Sequence, residues 1–327
     1  MATLNPVTYD FVTPTLGWAV QQLWTPTTPA GGFSVFKTTD GARHWHRQLV
    51  LESSFVGFVP ISIQFLDQMH GFIGVGDPFE QLDRTVDGGA TWDSLRLPPG
   101  SNRVEGIAFT DMNHGWLLVG GLVPVLYATD DAGNNWQRLP DPPSDAFGLS
   151  YRSPGEAWMG GAGPGPPHVY LSTDDGNVWV RVDLPPRPGT SWPAGNAVPA
   201  SVELLPRSGV VAHIPPADQP ELVKFSLSLT SLDHGNSWRN VPVPPGVVAY
   251  QDTLHWWAIK GKALFKSSDA GQSWTMVTNA LPDLQYIPHV LDSNHAWALT
   301  IVVGGYGLAL TGDRGLHWSQ ATVPPVR

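Results

Sequence analysis

The 327-residue sequence contains no cysteine. A disulfide framework, a thiolate metal site and a cysteine nucleophile are therefore excluded. Charge is also scarce, with Asp, Glu, Lys and Arg making up 14% of the chain where about 25% is usual. The rarest of the four is lysine, with 5 copies against 13 arginines, and the net charge is −10. Sequence-independent nucleic-acid binding rests on many Lys and Arg contacts to phosphate. No nucleic-acid partner is expected. No apolar run approaches the length of a membrane span, so no span is expected either. Met1–Trp18 lacks the charged and apolar regions of a signal peptide. That leaves two expectations open: a cytoplasmic chain, or one whose leader lies outside this sequence.

What is abundant points the other way. Glycine (35) and proline (32) together form about a fifth of the chain, against about an eighth in average proteins. Aromatics reach 10%, with 15 tryptophans. A coiled coil needs more charge and fewer glycines. A disordered chain has fewer aromatics. Collagen needs a strict glycine period, which is absent. Many turns joined to many large hydrophobes indicate an all-β protein.

The strongest feature is an internal repeat. The pattern Ser/Thr-x-Asp-x-Gly-x-x-Trp occurs seven times, with aspartates Asp40, Asp87, Asp131, Asp174, Asp233, Asp269 and Asp313. The intervals are 47, 44, 43, 59, 36 and 44 residues. Only the first copy departs, with Ala42 in the glycine position beside Gly41. Each residue type has a physical task. The carboxylate accepts backbone amides within a tight turn, and the hydroxyl adds a local bond. Glycine supplies a positive φ, and tryptophan buries a large ring against its sheet.

This pattern resembles the Asp-box, or BNR repeat, of sialidases, sortilin-type receptors, xyloglucanases and photosystem II assembly factors. In those families the box joins the third and fourth strands of a propeller blade, and its aspartates are structural. The resemblance implies an all-β, seven-bladed β-propeller with four antiparallel strands per blade and one Asp-box per blade. The expected organisation is a single domain over 1–327, with approximate blades 1–52, 53–99, 100–143, 144–186, 187–245, 246–282 and 283–327.

The rest of the repeat fits a blade of four strands in about 44 residues. Proline pairs begin six residues after the box tryptophan in five copies: Pro98-Pro99, Pro142-Pro143, Pro185-Pro186, Pro244-Pro245 and Pro324-Pro325. Proline cannot donate to a ladder, so the pairs mark the end of the outer strand. Upstream, Asp-x-x-His recurs at Asp67/His70, Asp111/His114, Asp252/His255 and Asp292/His295. Apolar residues alternate before each Asp, as in Ile63 and Phe65, which is strand periodicity. Strand A is therefore the alternating run, and strand B starts at the Gly-Trp or its equivalent. Enough chain lies at both ends for every blade to be contiguous, so blades 1 and 7 are expected to close by packing, without an exchanged strand.

The repeat absorbs several residues that look chemical. The four histidines of Asp-x-x-His occupy one blade position, so symmetry spreads them around a ring. Each is expected to bond its Asp across the A–B turn. His44 and His46 have a metal-pair spacing but no third ligand, and no metal or cofactor is expected. Of the tryptophans, only Trp24, Trp192 and Trp256 fall outside the pattern.

Ligands of propellers usually sit at the channel mouth, on the face of the D–A and B–C loops. The longest box interval expands two such loops, Leu184–Pro199 with Arg187 and Trp192, and His213–Leu222. Candidate ligand-binding residues on this top face are Trp24, Gln64, Phe79, Arg187, Trp192 and Tyr306. Strand A positions eight residues before the strand B aromatic position are Asp10, Gln64, Ala108, Ser150, Glu203, Ala249 and His289. These are expected to line the channel, with Asp10 and His289 near each other. Asp10, Glu203, Glu105 and His289 are the candidates for acid–base chemistry.

Length and blade count resemble the photosystem II assembly factor (YCF48-like) group most. That resemblance implies a non-catalytic, monomeric binding or scaffold propeller outside the cytoplasm, with a protein or glycan as partner. That family's basic surface patch is not evident here. The alternative is a glycoside hydrolase of Asp-box type using channel-mouth carboxylates. A sialidase is disfavoured, because the first arginine is Arg43 and no Arg-Ile-Pro occurs. Xyloglucanase-type enzymes build their cleft between two propellers, and this chain has seven boxes for one.

Overall fold

Alternating apolar residues, box turns and proline stops recur with one period, and the chain folds into one four-stranded antiparallel sheet per period. The computed structural model describes residues 7–22, 31–53, 61–75, 81–101, 104–119, 124–153, 155–186, 188–192, 198–205, 208–214, 227–242, 244–284, 288–302, 305–322 and 324. Among these there is no helix, and seven sheets of four sequential strands form a seven-bladed β-propeller. Blade 1 comprises Val7–Phe11, Gly17–Gln22, Gly31–Thr38 and His46–Ser53. Blade 7 comprises His289–Val290, Ala296–Val302, Gly305–Thr311 and Ser319–Ala321. Strand A of blade 2 is Ile61–Phe65, the run with the clearest alternation. The proline pairs lie just beyond the fourth strands, as at Asp93–Leu95 before Pro98 and Val180–Asp183 before Pro185.

At the first three blade junctions the strand B aromatic of one blade lies flat on the strand A aromatic of the next. Trp18 stacks on Phe65 with centroids 3.4 Å apart, Phe72 on Phe109 at 3.5 Å and Trp116 on Tyr151 at 3.7 Å. Such pairs add about 0.5–1.5 kcal/mol each beyond area burial. Strand alternation makes this possible: one set of side chains faces the preceding blade and the other faces the following one. Trp18 and Trp158 are completely buried.

Among the described residues, the ring closes without an exchanged strand. Each blade is contiguous in sequence. Across the blade 7–blade 1 seam, Trp297 packs against Tyr9 and Phe11 at 5.7 and 5.8 Å. Thr322, just beyond the last strand, donates its N–H to Ala42 O at 3.1 Å, and the Trp45 indole donates to Thr322 O at 2.9 Å. Ala42, the one departure from the box glycine, is fully buried in this seam.

Candidate functional site

The seven repeated turns share one geometry. In the first, Thr38 Oγ1 donates to Asp40 Oδ1 at 3.0 Å and accepts Ala42 N–H at 2.9 Å. Asp40 Oδ1 also accepts the N–H groups of Arg43 and His44. The residue before the tryptophan then caps the second carboxylate oxygen at 2.6–2.7 Å in six turns: His44, Thr91, Asn135, Ser237, Ser273 and His317. The turn of Asp174 has Val178 there and no such bond. Donors of this kind hold Asp87, Asp233, Asp269 and Asp313 at about 2, led by the Thr91, Ser237 and Ser273 hydroxyls and by His317 N–H. Asp131 and Asp174 also lie below the usual carboxylate range, held there first by the Asn135 side chain and by Val178 N–H. Two successive residues in each turn are left-handed, such as Gly41 at φ 71° with Ala42 at 61°, and His234 at 56° with Gly235 at 81°. The sequence pattern had assigned positive φ to the glycine alone.

The four Asp-x-x-His turns also form as expected. His70 Nδ1 lies 2.7 Å from Asp67 Oδ2, and His114, His255 and His295 repeat the contact at 2.8, 2.8 and 2.9 Å. His44 is committed to Asp40, while His46 opens the fourth strand of blade 1. Among the described residues, no three His, Asp or Glu side chains are grouped to hold a metal ion.

The strand A register is the predicted one. Asp10 pairs with Trp18, Gln64 with Phe72, Ala108 with Trp116, Ser150 with Trp158, Glu203 with Val211, Ala249 with Trp257 and His289 with Trp297. In blades 1 and 2 the side chain at this position reaches the next blade. Asp10 Oδ2 accepts Phe65 N–H of the next blade at 2.6 Å. Gln64 clamps Phe109, donating to its carbonyl at 2.9 Å and accepting its N–H at 3.0 Å. In these two blades the position fastens strand A to the strand A of the next blade. Burial raises the Asp10 carboxyl to about 6, against the opposing pull of the Phe65 and Phe11 amides.

His289 stacks on Trp297 of the adjoining strand at 5.2 Å, and burial lowers its pKa. Glu203 lies 3.7 Å from His213 Nε2, beside the Tyr250 hydroxyl at 3.3 Å from the same nitrogen. Glu105 belongs to strand A of blade 3, Val104–Phe109, and its side chain lies outside the described residues.

The aromatic candidates divide similarly. Trp24, Phe79 and Arg187 lie outside the described residues, as does the side chain of Tyr306. Trp192 packs against the core cluster of blades 4 and 5, and its indole donates to Leu184 O at 2.8 Å. Trp256 is buried at the blade 5–6 interface, edge-on to Tyr250 at 4.8 Å. Both are packing residues.

One top-face cluster was not foreseen. Asp145, between blades 3 and 4, bonds the Tyr170 hydroxyl at 2.6 Å and His168 Nε2 at 2.9 Å. His168 Nδ1 faces Pro166 O at 2.9 Å. A carbonyl and a carboxylate both accept, so the ring satisfies both only with a proton on each nitrogen. Burial pushes the Asp145 carboxyl up, but the Tyr170 and His168 bonds outweigh it and hold it low. Burial and the Asp145 bond push Tyr170 up to about 12. The cluster ties the B–C loop of blade 4 to the D–A connection. Asp145 and His168 have no counterparts of the same type in the other blades, so the repeat gave no signal for the cluster.

No described helix is long and apolar enough to cross a membrane. A family model for photosynthesis system II assembly factor YCF48 matches residues 56–144. No curated protein matches by sequence. A solved structure of YCF48 bound to D1 peptide aligns at TM-score 0.61 and 18% identity, covering 98% of this chain and 95% of that one. YCF48 from Cyanidioschyzon merolae aligns at 0.56 and 18%, covering 80% and 84%. A GH74 xyloglucanase from Xanthomonas campestris aligns at 0.56 and 12%, covering 98% of this chain and 70% of that one. Blade count, register and family match agree that the chain is a seven-bladed propeller similar to the photosystem II assembly factor YCF48.

Proposed function

We propose that this protein is a non-catalytic, extracytoplasmic binding propeller that docks a protein partner on the top face around the channel mouth. The observation that carries this reading is the use made of the candidate acid–base residues. Asp10 is committed to Phe65 N–H and His289 to the Trp297 ring, while Glu203 sits beside His213. A hydrolase needs two carboxylates facing a substrate, and of these groups Asp10 instead fastens blade 1 to blade 2. The chain-wide likeness to a YCF48 structure with a bound peptide supports a protein partner. Single-propeller size and, among the described residues, the absence of repeated exposed aromatics favour one site over a multivalent lectin. A monomer fits a ring whose first and last blades close on each other.

Photo-cross-linkers at positions 24, 79, 187 and 306 test the reading, with positions 178 and 276 on the box side as controls. Adducts with one protein from the top-face positions alone are expected. Adducts from the control positions alone would overturn the top-face assignment. Glycan hydrolysis that disappears in Glu203→Gln would replace it with the hydrolase reading.

A further inference from the structure

The repeat lets each cation be read against its equivalents, and Lys266 stands apart. The next-to-last residue of strand C is a cation in blades 1, 2 and 6: Lys37, Arg84 and Lys266. Lys37 Nζ donates to Gly88 O at 2.8 Å, and Arg84 Nη1 to Ala132 O at 3.0 Å. Both acceptors are the first left-handed residue of the next blade's box turn. The equivalent residue for Lys266 is Arg314. Among the described residues, however, Lys266 makes no hydrogen bond or ion pair. Its Nζ lies 3.7 Å from the centre of the Trp257 ring.

Lys266 and Arg314 line a groove of about 410 Å³ between blades 6 and 7, on the box side of the ring. Ser268, Thr275 and Ser293 add hydroxyl groups to its wall. The other titratable groups lining it are Asp252 and His255. Asp252 is already satisfied by its own turn, accepting Leu254 N–H, His255 N–H and His255 Nδ1 at 2.8–2.9 Å. Two cations therefore converge on a half-enclosed space with no carboxylate bonded to Lys266. Burial, helped by the Arg314 charge, lowers Lys266 to about 8.

We propose that this groove is a binding site for a small oxyanion, a phosphate or carboxylate group, held between Lys266 and Arg314 over the Trp257 ring. An anion there relieves the repulsion between the two cations and gives Lys266 the acceptor that Lys37 and Arg84 already have. The Arg314 guanidinium suits a pair of oxygens, and the Lys266 ammonium acts as a point charge. The hydroxyls can donate to the remaining oxygens. The site lies on the opposite side from the proposed docking face, so each stands or falls separately.

Calorimetric titration of the full chain with inorganic phosphate, and separately with acetate, tests the site and distinguishes the two oxyanions. Saturable binding of at least one is expected. It should weaken about tenfold or more in Lys266→Met and in Arg314→Asn, since asparagine tolerates the left-handed backbone there. Lys37→Met should leave it unchanged. Affinity for acetate, which is fully ionised throughout, should also fall between pH 7 and 9 as Lys266 discharges. In the wild-type chain, NMR titration of the Lys266 ammonium should show its pKa rising when the anion is added, independently of any variant's folding. No saturable binding up to about 10 mM of either anion, or binding indifferent to both substitutions, would overturn the proposal.

Discussion

Asp10 in blade 1 accepts the backbone N–H of Phe65 in blade 2 at 2.6 Å. The equivalent residue one blade on, Gln64, takes both the N–H and the carbonyl of Phe109. One position thus fastens neighbouring inner strands, once through a carboxylate and once through a neutral amide. Among the described residues the carboxylate pairs with no cation, and burial raises its pKa to about 6.

Stability should therefore depend on pH through Asp10. A raised folded pKa means the folded chain binds the proton more tightly than the unfolded chain, whose Asp titrates near 4. The group costs nothing below that pH, and its penalty grows as pH rises towards 6 and then levels. Asp10→Asn should track the wild type at pH 3.5 and gain on it by up to about 3 kcal/mol at pH 7. Urea denaturation at the two pH values measures this. A variant less stable than wild type at pH 7 would mean that the ionised carboxylate is a net stabiliser.

Val178 offers a gain at the box turns. It is exposed and stands where six other turns place a donor to the second carboxylate oxygen. Val178→Ser should add the bond that Ser237 makes to Asp233 and Ser273 to Asp269. The expected gain is about 0.5–1 kcal/mol, read as a higher denaturation midpoint at unchanged slope. Ser237→Ala should lose a similar amount.

Gly235 and Gly100 separate backbone strain from packing. Both have positive φ, at 81° and 83°. A Cβ at Gly235 would come within 2.3 Å of the Trp158 ring, whereas one at Gly100 meets nothing within 4 Å. Gly100→Ala should cost about 1 kcal/mol from conformation alone. Gly235→Ala adds the clash and should cost at least about 2–3 kcal/mol. Equal losses in thermal unfolding would refute the packing account.

The seam rests partly on Thr322, whose hydroxyl donates to Ala42 O and whose carbonyl accepts the Trp45 indole. Thr322→Val keeps shape and removes the hydroxyl, so about 1 kcal/mol should be lost. Hydrogen exchange should locate the change: amides of blades 1 and 7 should exchange faster, with blades 3 to 5 unaffected.

Much of the ring was legible because its causes are local and repeated. Box turns, proline stops and strand alternation act over a few residues, and seven copies make the period plain. Even the strand A register, from Asp10 to His289, follows from counting back eight residues. The functional reading was less legible for the opposite reason. Trp192 and Trp256 looked available because no repeat claimed them, yet each fills a gap between blades. Asp10 was read as a channel group, but a side chain near the axis can also turn into the adjacent blade, as Asp10 does towards Phe65 N–H. Lys266 looked like an ordinary strand residue until Lys37 and Arg84 were seen bonding across blades.

By itself, then, the sequence determined the number of blades, the turn chemistry and the pairing within each blade, because those depend on neighbours along the chain. Only the tertiary structure decided which polar groups are committed. Whether Asp10 meets an amide or Lys266 another cation depends on the adjacent blade, some forty residues or more away in sequence. No local rule carries that information, since blade-to-blade contacts form only once the ring has closed.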